Sequence, residues 1–134
     1  YPQRITHRLM MNTPHIQLFR EQTTAAEFDH PRSDRLVNGN PQRTTWNHFT
    51  NHSGEVFAGV WASEVGSWRI EMGETEDEYF YVIEGSGAII EENGERRTFA
   101  VGDAVIIPAG FKGIFEVTTA LKKHYVIVER QVSK

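Results

Sequence analysis

From Val56 onward the sequence is a succession of short runs rich in β-branched and aromatic residues, punctuated by Gly, Pro and Asn, with no segment that reads as a long helix. Residues 57–62, 67–72, 78–83 and 86–91 are four such runs. Asn93-Gly94 then predicts a tight type I′ hairpin, because both central residues of that turn need positive φ, and residues 96–99 return as its partner strand. Gly102-Asp103 predicts another turn. Residues 104–107 are apolar at every position and read as a fully buried strand, followed by a turn at Pro108-Ala109-Gly110 and runs at 111–117 and 122–129. Short strands at this spacing cannot each bury a face alone. They predict an all-β antiparallel sandwich or small barrel.

The chain has 134 residues, the size of one domain with a core of its own. A hydrophobic fraction of 39% and 24% charged residues are those of a globular protein. The formal charge of -4 offers no general attraction for phosphate backbones or anionic lipid, so neither nucleic acid nor a membrane is an expected partner. With no cysteine, disulfides, thiolate metal sites and a Cys nucleophile are excluded. No apolar run approaches the roughly 18 residues needed to cross a bilayer, and no charged-then-apolar leader is visible. The expectation is a cytoplasmic protein.

Residues 1–54 are polar and broken by Pro14, Pro31, Pro41, Gly39 and Gly54, and read as an extended N-terminal arm to a barrel over 55–134. The chain begins at Tyr1, with Met10 or Met11 as an alternative start, so residues 1–10 are set aside from fold reasoning. Thr23 or Thr24 with Glu27 predicts one or two helical turns over 23–28. An arm without a core is stable only when packed on its own barrel or a neighbour's.

Three separated elements then resemble the cupin superfamily of small β-barrels. Glu78 and Gly85 match the end of its first motif, a glutamate, six residues and a glycine. Gly102, Pro108 and Gly110 match its second, and the short segment between, with Asn93-Gly94, is similar to the cupin inter-motif hairpin. The run IPAGFKGIFEV with KKHYVIV resembles single-domain cupins of the cupin 3 type, related to ureidoglycine aminohydrolases and an ethanolamine-utilisation protein. The resemblance covers roughly residues 55–129 and implies a double-stranded β-helix, or jelly roll. It also implies three histidine ligands beside the glutamate in metal-binding members. Here those positions fall on Met72 and Glu74, or Glu71 and Gly73, and on Gly113. One carboxylate does not make a transition-metal site. No cofactor is therefore expected, short of a divalent metal held by an unorthodox ligand set.

If Glu78 points into the barrel as its cupin equivalent does, alternation sends Phe80 and Val82 inward and leaves Tyr79, Tyr81 and Ile83 outside, an apolar face that suits a second sheet or a subunit partner, as in the expected homodimer. A carboxylate among Phe80, Phe115 and a tryptophan is a candidate general acid or base; paired with Arg69 or Lys123 it would be structural. Along 67–72 either Arg69 and Glu71 or Trp68, Ile70 and Met72 face inward, and alternation does not choose. Glu74, Glu76 and Asp77 read as a solvated turn. Of the histidines, His7, His15 and His30 lie in the arm, His48 and His52 are four apart outside any helix, and His124 sits in the closing strand.

The predicted function is binding of a small polar metabolite with Glu78 as acid or base. The expected contacts are Trp46, Arg69, Glu71, Phe80, Phe115, Lys123 and Tyr125. The alternatives are a non-catalytic binding or sensing barrel and a metal-dependent cupin with unorthodox ligands.

Overall fold

A computed structural model describes residues 13–131; the possible start at Met10 or Met11 and His7 lie outside the described residues. No α-helix occurs among them, and nine strands make up the fold: β1 (Glu27–Asp29), β2 (Leu36–Asn38), β3 (Arg43–Thr50), β4 (Val56–Ser63), β5 (Gly66–Glu71), β6 (Glu76–Glu91), β7 (Arg96–Ala100), β8 (Ala104–Ile107) and β9 (Lys112–Glu129). All pairings are antiparallel.

Strands β6 and β9, at 16 and 18 residues, run through both walls of the barrel. The first half of β6 lies between β8 and the second half of β9, which continues to β4, β3 and β1. Its second half lies between β7 and the first half of β9, which continues to β5 and β2. Two walls therefore share two bent strands, the arrangement of a cupin jelly roll. The bend falls at Gly85, where φ is +81° and a Cβ would meet the Ala120 carbonyl oxygen. The β6–β9 register shifts three times between Val82 and Gly87. Ser86 Oγ holds the corner, 2.8 Å from Thr118 Oγ1 and donating to Thr119 Oγ1 at 3.0 Å.

Trp68, Phe80, Val82, Ile89, Phe99 and Phe115 belong to the one core between the walls. Phe80, Phe99 and Phe115 form a ring cluster with centroids 5.3–6.0 Å apart, and such edge and tilted contacts add to the area they bury.

Several local expectations are corrected. Residues 23–28 form no helical turn; Glu27–Asp29 instead pair with β3, and a single 3-10 turn lies earlier, at Phe19–Glu21. Ladder hydrogen bonds to β3 outweigh a weak local capping signal. The segment before Gly54 supplies β1, β2 and the eight-residue β3, which pairs along β4. At the hairpin only Gly94 has positive φ, and its N–H bonds the Glu91 carbonyl at 2.8 Å, so the turn spans Glu91–Gly94 rather than a two-residue type I′ loop. Strand β8 is not fully buried: it pairs with β6 alone, so Ile107 is 3% exposed and Ile106 62%. Asp77 is more than a solvated charge, since it accepts from the Ala109 N–H and from Arg130, each at 2.7 Å. These bonds hold its carboxyl below the usual range, first through the Ala109 amide and then through Arg130.

Candidate functional site

Alternation along three strands assembles the site. Arg43, Thr45 and Asn47 from β3, Trp68 and Ile70 from β5, and Lys123, Tyr125 and Ile127 from β9 point between the walls. With Glu78 from β6 and Met72 just beyond β5, they line a cavity of about 370 Å³, within the range of small-molecule sites. Phe57, Trp61, Ile107 and Phe115 complete its apolar wall.

The register left open in the sequence resolves toward the hydrophobic choice. Trp68, Ile70 and Met72 face the cavity, whereas Arg69 and Glu71 are exposed on the other side. Arg69 donates to the Asp34 carbonyl at 3.3 Å, and Glu71 lies 3.8 Å from Lys112. Trp46 is also outside the cavity, since Thr45 and Asn47 take the inner face; the Lys122 ammonium lies 5.5 Å from its ring centre. Of the expected contacts, Phe115, Lys123 and Tyr125 do line the cavity with Glu78. Phe80 is fully buried beneath Lys123.

The centre of the site is an ion pair. Lys123 Nζ donates to Glu78 Oε2 at 2.8 Å, with side-chain exposures of 6% and 14%. The ammonium also lies 3.9, 4.6 and 5.0 Å from the ring centres of Phe80, Trp61 and Phe115, whose electron-rich faces stabilise a cation. Beside it, Tyr125 Oη donates to Asn47 Oδ1 at 2.7 Å, and Asn47 Nδ2 donates to Thr50 Oγ1 at 2.9 Å. At the β3 side Arg43 grips Asp29 with Nε and Nη2 at 2.9 and 2.7 Å, its guanidinium 5.1 Å from the Trp68 ring centre.

Burial, then the negative charges of Glu78 and Glu27, push the Tyr125 hydroxyl up to about 12. It is therefore a neutral donor at ordinary pH. Because the folded value is raised, the stability it contributes is complete below the ordinary tyrosine pKa and is lost as pH rises through about 12. Absorbance titration should show a tyrosine component ionising near pH 12, and Tyr125→Phe should remove that component. A single early transition would contradict this environment.

Arg43, Thr45 and Asn47 were missed in the sequence because they lie in the segment read as an arm. The alternation of Arg43, Thr45 and Asn47 with Thr44, Trp46 and His48 was the available strand signal.

A cupin metal does not fit these residues. Met72 offers only a thioether, Glu74 is exposed in the turn, and a Cβ at Gly113 would meet the Ile90 carbonyl oxygen and, at 2.8 Å, the Phe111 ring. Glu78 is already bonded to Lys123. Among the described residues no three His, Cys, Asp or Glu side chains converge. His48 and His124 lie on the outer face instead, their rings packed 4.9 and 5.3 Å from Phe19, with the Thr24 hydroxyl 2.9 Å from His48 Nδ1. Burial, then the charge of His124, lower the pKa of His48.

No helix among the described residues is long and apolar enough to cross a membrane. No curated protein matches the chain by sequence. Among solved structures, a Pseudomonas syringae protein of unknown function in the DUF861 family superposes with TM-score 0.71 at 24% identity, covering 83% of this chain and 46% of the other. This chain thus spans about half the length of that relative. The Clostridium difficile EutQ protein matches with TM-score 0.60 at 27% identity, covering 77% and 75% of the two chains. Ectoine synthase from P. lautus shares the fold, with TM-score 0.62 at 12% identity over 89% and 80%. The model of the EutQ-like cupin domain, Cupin_3, matches residues 50–125, which hold both glycine motifs, Glu78 and Lys123, and the chain belongs to that family.

Proposed function

We propose that this cupin binds a small polar metabolite in the barrel cavity and that Glu78 acts on it as general acid or base, without a three-histidine metal centre. The observation that carries this reading is the Glu78 carboxylate, on the cavity wall and 14% exposed, with the Lys123 ammonium at 2.8 Å to take up charge. A carboxylate held on the wall within hydrogen-bond reach of a bound molecule is positioned to transfer a proton to or from it. Lys123 also supports a second reading, a binding or sensing barrel without turnover, because Glu78 already has a partner.

A metabolite screen by thermal shift, followed by turnover assays on the hits, separates the two. Glu78→Gln keeps volume and an acceptor oxygen for Lys123. If Glu78 transfers a proton, this change should lower turnover about 10²–10⁴-fold with little loss of binding. Binding without turnover by the native protein would favour the sensor, and a variant unchanged in both would remove Glu78 from the site.

We further propose a homodimer through the outer face. Phe49, Ala58, Val126, Tyr79 and Ile106 lie side by side in register across β3, β4, β9, β6 and β8. Tyr79 and Tyr81 are 40% and 39% exposed there, and a continuous apolar row of this kind marks an interface. Light scattering should give a dimer that Tyr79→Glu with Ile106→Lys converts to monomer. A monomeric native protein would end the proposal.

A further inference from the structure

The geometry points to a ligand class for the cavity: a small carboxylate with an apolar or aromatic body, anchored through its anionic head on Lys123. This inference rests on the cavity being the binding site. The charged residues on the wall are Arg43, Lys123 and Glu78, with Arg43 paired to Asp29 and Lys123 paired to Glu78. Each cation has its counter-charge, and the two cations are the groups an anionic head would meet on the wall.

Hydrogen-bonding capacity agrees. The Lys123 ammonium has three N–H groups, of which one goes to Glu78; the others meet the ring faces of Trp61, Phe80 and Phe115 and no oxygen or nitrogen acceptor among the described residues. Arg43 spends Nε and Nη2 on Asp29, and Nη2 also reaches the His30 carbonyl at 3.5 Å, leaving Nη1 without a hydrogen bond among the described residues. A desolvated cation with spare donors gains most from an anionic oxygen, through short charge-assisted bonds.

The same features exclude other heads. A cationic head would seek Glu78 and the aromatic faces, but Lys123 already occupies both. A phosphoryl group presents three anionic oxygens and needs more donors than Lys123 and Nη1 leave, because the rest of the Arg43 fork is committed to Asp29. A carboxylate needs only a few donors, which Lys123 and Nη1 supply. The body of the ligand then lies against Trp61, Trp68, Ile70 and Phe115.

Three probes that share one ring and differ only in head charge test this: phenylacetate, phenylacetamide and phenethylamine. Binding is read by calorimetry and by quenching of Trp61 and Trp68. Phenylacetate should bind at least roughly tenfold more tightly than the amide, and the amine should not bind. The double variant Lys123→Met/Glu78→Gln removes both charges together, so neither is left buried alone, and should abolish the preference for phenylacetate over the amide. Arg43→Gln should weaken phenylacetate severalfold. If the amide or amine binds as tightly as phenylacetate, or if the double variant keeps the preference, the carboxylate assignment fails while the cavity remains a binding site. If no probe of any charge binds, the carboxylate assignment and the barrel-cavity reading fall together.

Discussion

Lys123→Met is expected to lower the unfolding free energy by about 3–5 kcal/mol, because it leaves the Glu78 carboxylate between the walls without its counter-charge. The native pair offsets its own desolvation through three kinds of contact: the 2.8 Å bond to Glu78, the ring faces of Trp61, Phe80 and Phe115, and the methylene stem within the core. Methionine restores the stem alone. Denaturant unfolding of Lys123→Met, Glu78→Gln and the double variant forms a cycle that isolates the pair. The double variant should be more stable than Lys123→Met, since no buried charge is then unpaired. Equal losses for Lys123→Met and the double variant would mean that Glu78 finds water when Lys123 is gone, and that the cavity is wet around it.

Gly85→Ala should cost about 2–4 kcal/mol, combining the penalty for an L-residue in the left-handed region with backbone crowding at the β6 corner. The added Cβ would meet the carbonyl oxygen and carbon of Ala120 and the carbonyl of Thr119, atoms fixed in β9 rather than the end of a flexible side chain. Relief requires the two bent strands to part where both walls join. A fall of melting temperature on the order of 10 °C is the expected readout. Gly94→Ala is the control, with φ of +90° but nothing within 4 Å of its Cβ, and should lose only the conformational part. Similar losses at the two glycines would show that backbone conformation, not the close approach of β9, makes Gly85 necessary.

Local chemistry made much of this fold legible. The runs at 57–62 and 67–72 lie within one residue of β4 and β5, because β-rich composition and flanking turn residues act over the same few positions that a strand occupies. The runs at 78–83 and 86–91 proved to be one strand bent at Gly85, and 111–117 and 122–129 likewise halves of β9. A glycine inside a strand pattern signals either a turn or a close approach, and the choice depends on what lies opposite, here Ala120. The pattern of Glu78 with Phe80 and Val82 inward and Tyr79 and Tyr81 outward follows from period-two geometry and holds in the structure.

The site was legible only in part, for a reason that Trp46, Arg69 and Arg43 make plain. A side chain's face within one strand follows from alternation, but which face is the inside depends on the partner wall. Along β5 both choices paired residues suited to a pocket until β9 placed Phe115 opposite Trp68. Arg43 and Asn47 reach the cavity because β3, from a polar and proline-broken stretch, pairs with β4 across a turn. The amino-acid order alone established the all-β class and, through its resemblance to cupins, the jelly roll, Glu78 as the retained motif carboxylate and the absence of the motif histidines. Non-local pairing established that Lys123 meets this carboxylate 45 residues away, since bringing an ammonium and a carboxylate together inside a barrel is a property of two walls closing and of no single strand.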